Sequence, residues 1–282
     1  MDFQSTQDPE QRGILGKHKA YVFGRILEGS RNGMRMKRRI FSGAACDQIV
    51  YSVSDHVKEP KKAKPRIRFK NEEERAEHRR LIARRYHARL VNANYGPSSY
   101  YSTHTLNDEH EVHTFAEARK IRDEYYRQLK KRYPDAKINI YMGRGKSTHR
   151  IHFHMISDGI PEEAIKELWI WGSVKHCAHL RENCRYNGID CGQDYTGLAN
   201  YLFDHWTPEQ GGRVRYKYSR KTIKTPDAEK PTECKVNYSP ERPPVAPRGY
   251  RFLYVEYNRY GYMCFHYVKE VHKPRRTRRA DE

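Results

Sequence analysis

The sequence predicts an α+β fold: a central, largely antiparallel sheet flanked by helices. Three observations point there. Short segments with β-type alternation recur close together, with turn residues between them. Helical segments with matched end signals fall among them. The resulting order of strand, helix, strand, strand, helix is not the regular βα alternation of a parallel sheet.

Taken in order, residues 1–70 are basic and read as irregular, and KEPKKAKPRIRFK (58–70) reads as a Pro-broken linker or DNA-contacting arm. NEEERAEHRRLIARRYHARLVN (71–92) reads as a helix, acidic at its start and basic at its end, which suits the helix dipole. SSYYSTHTL (98–106) is rich in Ser, Thr and Tyr and predicts a strand. Thr114 and Glu117 have capping-box spacing ahead of a helix that should end near Tyr133, before Pro134. KINIYMGR (137–144) and HRIHFHMIS (149–157) alternate as two strands joined by a GKST turn. Pro161 suits the first position of a short helix over 161–171, and 174–180 reads as a further strand. DYTGLANYLFDHW (194–206) has helical spacing, 208–250 reads as loop, and 251–268 as a terminal hairpin before a basic tail. Helices on one face of such a sheet would leave the other face for a ligand. The chain divides into a basic N-terminal region (1–94) with its helix near 71–92, a central domain (95–208), and a C-terminal extension (209–282) with hairpin and tail.

Composition narrows the partner. Lys and Arg number 55 against 35 Asp and Glu, a formal charge of +20, which favours a polyanion because neutralising phosphates releases counterions. The 22 tyrosines spread among these cations suit single strands, whose exposed bases stack on aromatic rings. No apolar run approaches the roughly 18 residues of a membrane span, and the N-terminus lacks a signal-peptide layout, so no membrane partner and a cytoplasmic location are expected. The six cysteines then read as reduced thiols. Cys177, Cys184 and Cys191 recur every seven residues, wider than the usual Cys-x2–4-Cys zinc spacing. GRGKST (143–148) lacks the four-residue gap of a phosphate-binding loop. No helicase motif follows it, so unwinding would fall to a host helicase.

Three segments carry chemistry. His152 and His154 lie two apart on a strand, so both imidazoles project from one face, where they can bind a divalent metal. Tyr201 and His205 lie one helical turn apart. A tyrosine hydroxyl, with a pKa of about 10, needs a metal, a cation or a base to attack phosphorus at neutral pH. His205 is placed to help with that proton. Thr105-Leu106-Asn107 ends the first central strand.

In order and spacing, Thr105-Leu106-Asn107, His152-Phe153-His154 and Tyr201 resemble the three motifs of the HUH family of rolling-circle replication initiators. GRGKSTHRIHFHMIS resembles the turn and metal strand of initiators from small phages and plasmids. The stretch from SSYYSTHTLND to YLFDHWTPEQGG resembles replication-associated proteins of Gram-positive bacteria, and the likeness covers roughly residues 95–270. The resemblance implies an antiparallel sheet with the active site on one face, and Mg2+ or Mn2+ held by His152 and His154. It implies that Tyr201 nicks single-stranded origin DNA, forming a 5′-phosphotyrosine and leaving a 3′-hydroxyl for a host polymerase. Arg144, Lys146 and Arg150 flank the metal strand and are expected to hold the DNA backbone.

Two positions depart from the pattern. Many relatives carry an acidic third ligand where this chain has Gly143; His104, Asp108, Glu109 and His149 are unranked substitutes. Many carry Lys where this chain has Asp204. Tyr195 is the rival nucleophile, but six residues are nearly 600° of helical rotation at about 100° each, so it would not share a face with Tyr201. Competing functions are a non-catalytic DNA-binding protein (a degenerate initiator or repressor) and a plasmid-mobilising relaxase, in which the tyrosine usually precedes the histidines. A structural zinc protein is a further alternative.

Overall fold

The computed structural model describes residues 33–54, 71–145, 147–205, 216–258 and 261–270. The arm at 58–70, the basic tail and Lys146 lie outside these residues.

The first described element corrects the reading of residues 1–70 as irregular. Strands β1 (Gly33–Ser42) and β2 (Ala45–Ser54) form an antiparallel hairpin that closes from Ser42 to Ala45. Gly43 sits there at φ 57°, and a Cβ on it would come within 2.1 Å of the Asn92 carbonyl oxygen. Only glycine fits that turn.

Helix α1 (Glu72–Asn94) begins as expected: the Glu74 amide donates to the Asn71 side chain at 2.9 Å, and Glu72, Glu73 and Glu74 fill the first turn. Its last turn carries no basic residue, contrary to expectation. Arg85 and Arg89 lie further back and are buried in ion pairs. Strand β3 (Tyr100–Leu106) leads to helix α2 (Phe115–Arg132), where Thr114 and Glu117 complete the capping box and Tyr133 ends the helix. Strands β4 (Lys137–Arg144) and β5 (Ile151–Asp158) pair through the expected turn. Helix α3 (Glu162–Glu167) starts one residue after Pro161, which caps it instead of opening it. Strands β6 (Gly172–His179), β7 (Cys184–Tyr186) and β8 (Ile189–Gly192) precede helix α4 (Thr196–Asp204). The stretch expected to be loop contains three short strands: β9 (Tyr216–Tyr218), β10 (Asp227–Ala228) and β11 (Thr232–Glu233). The terminal hairpin is β12 (Tyr250–Tyr257) and β13 (Met263–Lys269).

The α+β class with antiparallel sheets holds, but the described residues form two large sheets where one was expected. The central sheet has the order β6-β3-β5-β4-β9; the other runs β10-β1-β2-β13-β12, with β11 also on β1. All the pairings are antiparallel. The terminal hairpin is therefore joined, through β13 and β2, to the hairpin near the N-terminus.

Neither face of the central sheet is left wholly free. Ile138, Ile140, Met142, Phe153 and Met155 point into a core with Phe115, Tyr125 and Leu129 of α2 and Trp169. On the opposite face Tyr101, Tyr141 and Ile156 pack against Ala88 and Val91 of α1 and Ala199 and Leu202 of α4. This second layer brings α4 onto the face that carries the paired histidines. Among the described residues, no helix is long and apolar enough to cross a membrane.

Candidate metal centre

Strand alternation sorts β5 cleanly. Ile151, Phe153 and Met155 are buried in the core shared with α2, while His152 and His154 face α4. Register sets their neighbours: His152 lies between Gly143 on β4 and Thr105 on β3, and His154 between Tyr141 and Thr103.

Helix α4 is pinned at both ends. Before its first turn, Asn92 of α1 donates to Asp194 and Thr196, at 3.1 and 2.9 Å, and accepts from the Tyr195 amide at 2.7 Å. The Thr196 amide and hydroxyl both donate to Asp194. At the other end Asp204 bridges to Arg80 and Arg84 of α1 at 3.0 and 3.1 Å. Ala199, Leu202 and Phe203 are buried, while Tyr201 and His205 are turned to β5.

The result is a cluster of three imidazoles. One ligand nitrogen from each of His152, His154 and His205 lies within 4.8 Å of the others. The His205 ring centre is 4.7 Å from His154 and 5.8 Å from His152. Tyr201 completes the group, with its ring 4.3 Å from His205 and 5.9 Å from His154.

Gly143 explains how a third histidine fits. A Cβ built on it would stand 2.7 Å from His205 Cδ2 and 2.8 Å from His152 Nε2. The two rings fill the space a side chain would take. The sequence left the third ligand among His104, Asp108, Glu109 and His149, and the structure corrects this. His104 is buried on the opposite sheet face, against Tyr125 and Trp169. Asp108 bridges to Arg150, and His149 lies in the exposed turn at φ 55°. None of the four candidates, Glu109 included, belongs to the cluster. The sequence signal that could have found His205 is a histidine one turn beyond Tyr201, combined with Gly143 where an acidic ligand is expected.

The chemistry of the donors fits a divalent ion. Nδ1 of His205 donates to the Tyr201 carbonyl at 2.8 Å, which in the neutral ring places the lone pair on Nε2. His154 uses Nδ1 toward the Tyr101 hydroxyl at 2.8 Å and Thr103 at 3.2 Å, while its buried Nε2 has no hydrogen-bond partner. A buried polar atom left so costs about 1–3 kcal/mol, a deficit that a bound metal would remove. Burial, then the neighbouring His205 and His152, push His154 down to about 2; burial and His205 also lower His152. Both rings are thus held in the neutral form that ligates metal. Burial raises the half-exposed Tyr201 above its ordinary value, so its hydroxyl needs activation.

The other sequence candidates are engaged elsewhere. The buried Tyr195 donates its hydroxyl to the Arg181 carbonyl at 3.0 Å, which removes it as a companion of Tyr201. Arg144 clamps the turn through the His149 and His113 carbonyls. Arg150 pairs with Asp108 and Glu111 at 2.9 and 3.1 Å. Cys177, Cys184 and Cys191 are free thiols, each raised to about 11 primarily by burial.

No family model, curated protein or solved structure matches this chain.

Proposed function

We propose that this chain initiates rolling-circle replication by nicking and rejoining single-stranded origin DNA. The observation that carries the proposal is the placing of Tyr201 beside the three-imidazole cluster, on the helix that also supplies His205. A three-nitrogen set suits Mn2+ better than Mg2+, which prefers oxygen ligands. When bound by His152, His154 and His205, the ion would polarise the scissile phosphate. The Tyr201 oxygen forms a bond to phosphorus as the bond to the 3′-oxygen breaks. The phenolic proton leaves, and the 3′-oxygen becomes a hydroxyl that a host polymerase can extend. Because the phosphotyrosine keeps one ester bond for the one broken, the same residues can rejoin the strand. The surplus of cations and the tyrosines support a single-stranded partner. A non-catalytic DNA-binding role drew its support from the absent acidic ligand, and His205 supplies the missing donor.

The test is a denaturing gel of the protein with labelled single-stranded oligonucleotides tiling the origin region of the parent replicon, in Mn2+ or EDTA. A Mn2+-dependent protein–DNA adduct is expected with the wild type and with Tyr195→Phe, but not with Tyr201→Phe. Tight binding without an adduct on any tile would leave a DNA-binding protein and sink the enzyme.

A further inference from the structure

The side of β3 that faces the histidine cluster carries two hydroxyls beside His154, those of Tyr101 and Thr103. Tyr101 is buried, its ring stacks on His154 at 5.8 Å and 14°, and its hydroxyl meets His154 Nδ1 at 2.8 Å. Thr103 donates to the same hydroxyl oxygen at 3.3 Å and lies 3.2 Å from the same nitrogen. The Tyr101 oxygen can accept the proton of His154 Nδ1, with the Thr103 hydroxyl close to both atoms. That arrangement leaves the lone pair of His154 on Nε2, the nitrogen without a hydrogen-bond partner. The opposite tautomer would bury an N–H donor with no acceptor.

Resting on the metal reading above, we propose that Tyr101, supported by Thr103, is a positioning residue that fixes the tautomer and ring angle of His154 for metal binding. Partners of this kind orient a ligating imidazole and typically change metal affinity about 10–100-fold when removed. Tyr101→Phe keeps the stacked ring and deletes only the hydroxyl. Tyr125→Phe is the control: it deletes another buried tyrosine hydroxyl, one that donates to the Ile165 carbonyl on the far side of the sheet.

The experiment measures Mn2+ binding to the DNA-free full chain by calorimetry and by the loss of the free-ion electron paramagnetic resonance signal. Tyr101→Phe is expected to weaken binding about 10–100-fold while Tyr125→Phe matches the wild type. Equal affinity in Tyr101→Phe and wild type overturns the proposal while leaving the metal centre standing. A wild type that binds no Mn2+ overturns the metal reading itself, and this proposal with it. Should Tyr101→Phe fold poorly by circular dichroism, the half-buried Thr103→Val decides on the same terms, with weaker Mn2+ binding expected and unchanged binding overturning the proposal.

Discussion

At Gly143 a missing side chain shapes the site as much as any present one. The predicted Cβ contacts below 3.0 Å involve ring atoms of His152 and His205, and neither ring can yield without moving its donor nitrogen. Gly143→Ala should therefore weaken Mn2+ binding roughly tenfold or more, an effect comparable to losing a ligand-orienting contact. Calorimetry on the variant checks this, and wild-type affinity would show that the rings have room to spare. The two strand histidines were legible in the sequence, because period-two alternation alone puts His152 and His154 on one face. His205 was legible only as Tyr201's helical neighbour. Its role as third donor depends on how α4 lies across β4 and β5, which tertiary packing decides.

Helix α4 is fixed by two carboxylates in opposite settings. Asp204 and its partners are partly exposed, at 39% for Asp204, 54% for Arg80 and 31% for Arg84. Solvent screens such pairs, so Asp204→Asn should cost about 0–1 kcal/mol. Asp194 is buried, and its carboxylate accepts from Asn92, Thr196 and His266 at 3.1, 3.0 and 2.9 Å. Neutralising it leaves His266 with Asp47 as its remaining carboxylate and weakens a buried charge-assisted hydrogen bond, so Asp194→Asn should cost about 1.5–3 kcal/mol. Urea unfolding of the two variants measures both, and equal costs would mean that Asp194 is not held as the structure describes. Elements with local signals were readable: the Thr114–Glu117 capping box and the alternation of β4 and β5 depend on neighbours a few residues away. The β1–β2 hairpin was not readable. Its alternation is blurred by the run MRMKRR, and it is stabilised by pairing with β13, more than 200 positions away, as between Asp47 and His266.

Across the molecule, one buried polar network joins the second sheet to the layer that carries the histidine cluster. His266 on β13 bonds Asp47 on β2 through Nδ1 at 2.6 Å, and Asp194 ahead of α4 through Nε2 at 2.9 Å. Arg89 of α1 reaches Asp47, and Arg85 reaches Glu256 on β12, so three acidic and three basic groups balance. Tyr254 stacks on His266 at 4.8 Å, and Cys264 lies beside Arg89. Burial alone would discharge His266, but Asp194 and Asp47 outweigh it and hold the ring charged, raised to about 9. Burial would also raise Asp47, yet Arg89 and His266 keep it well below the usual carboxylate range. A histidine raised from about 6.5 in the unfolded chain contributes stability that is complete below pH 6.5 and is lost as pH climbs to about 9. The loss is on the order of 3 kcal/mol. His104 works in the other direction: burial pushes it down to about 3, so its contribution is complete above pH 6.5 and fades as pH falls. Together they predict a stability maximum near pH 6.5–7, with the alkaline limb belonging to His266. Urea midpoints measured from pH 5 to 9 should trace that peak, and stability still rising at pH 9 would rule out a charged His266 between its two carboxylates.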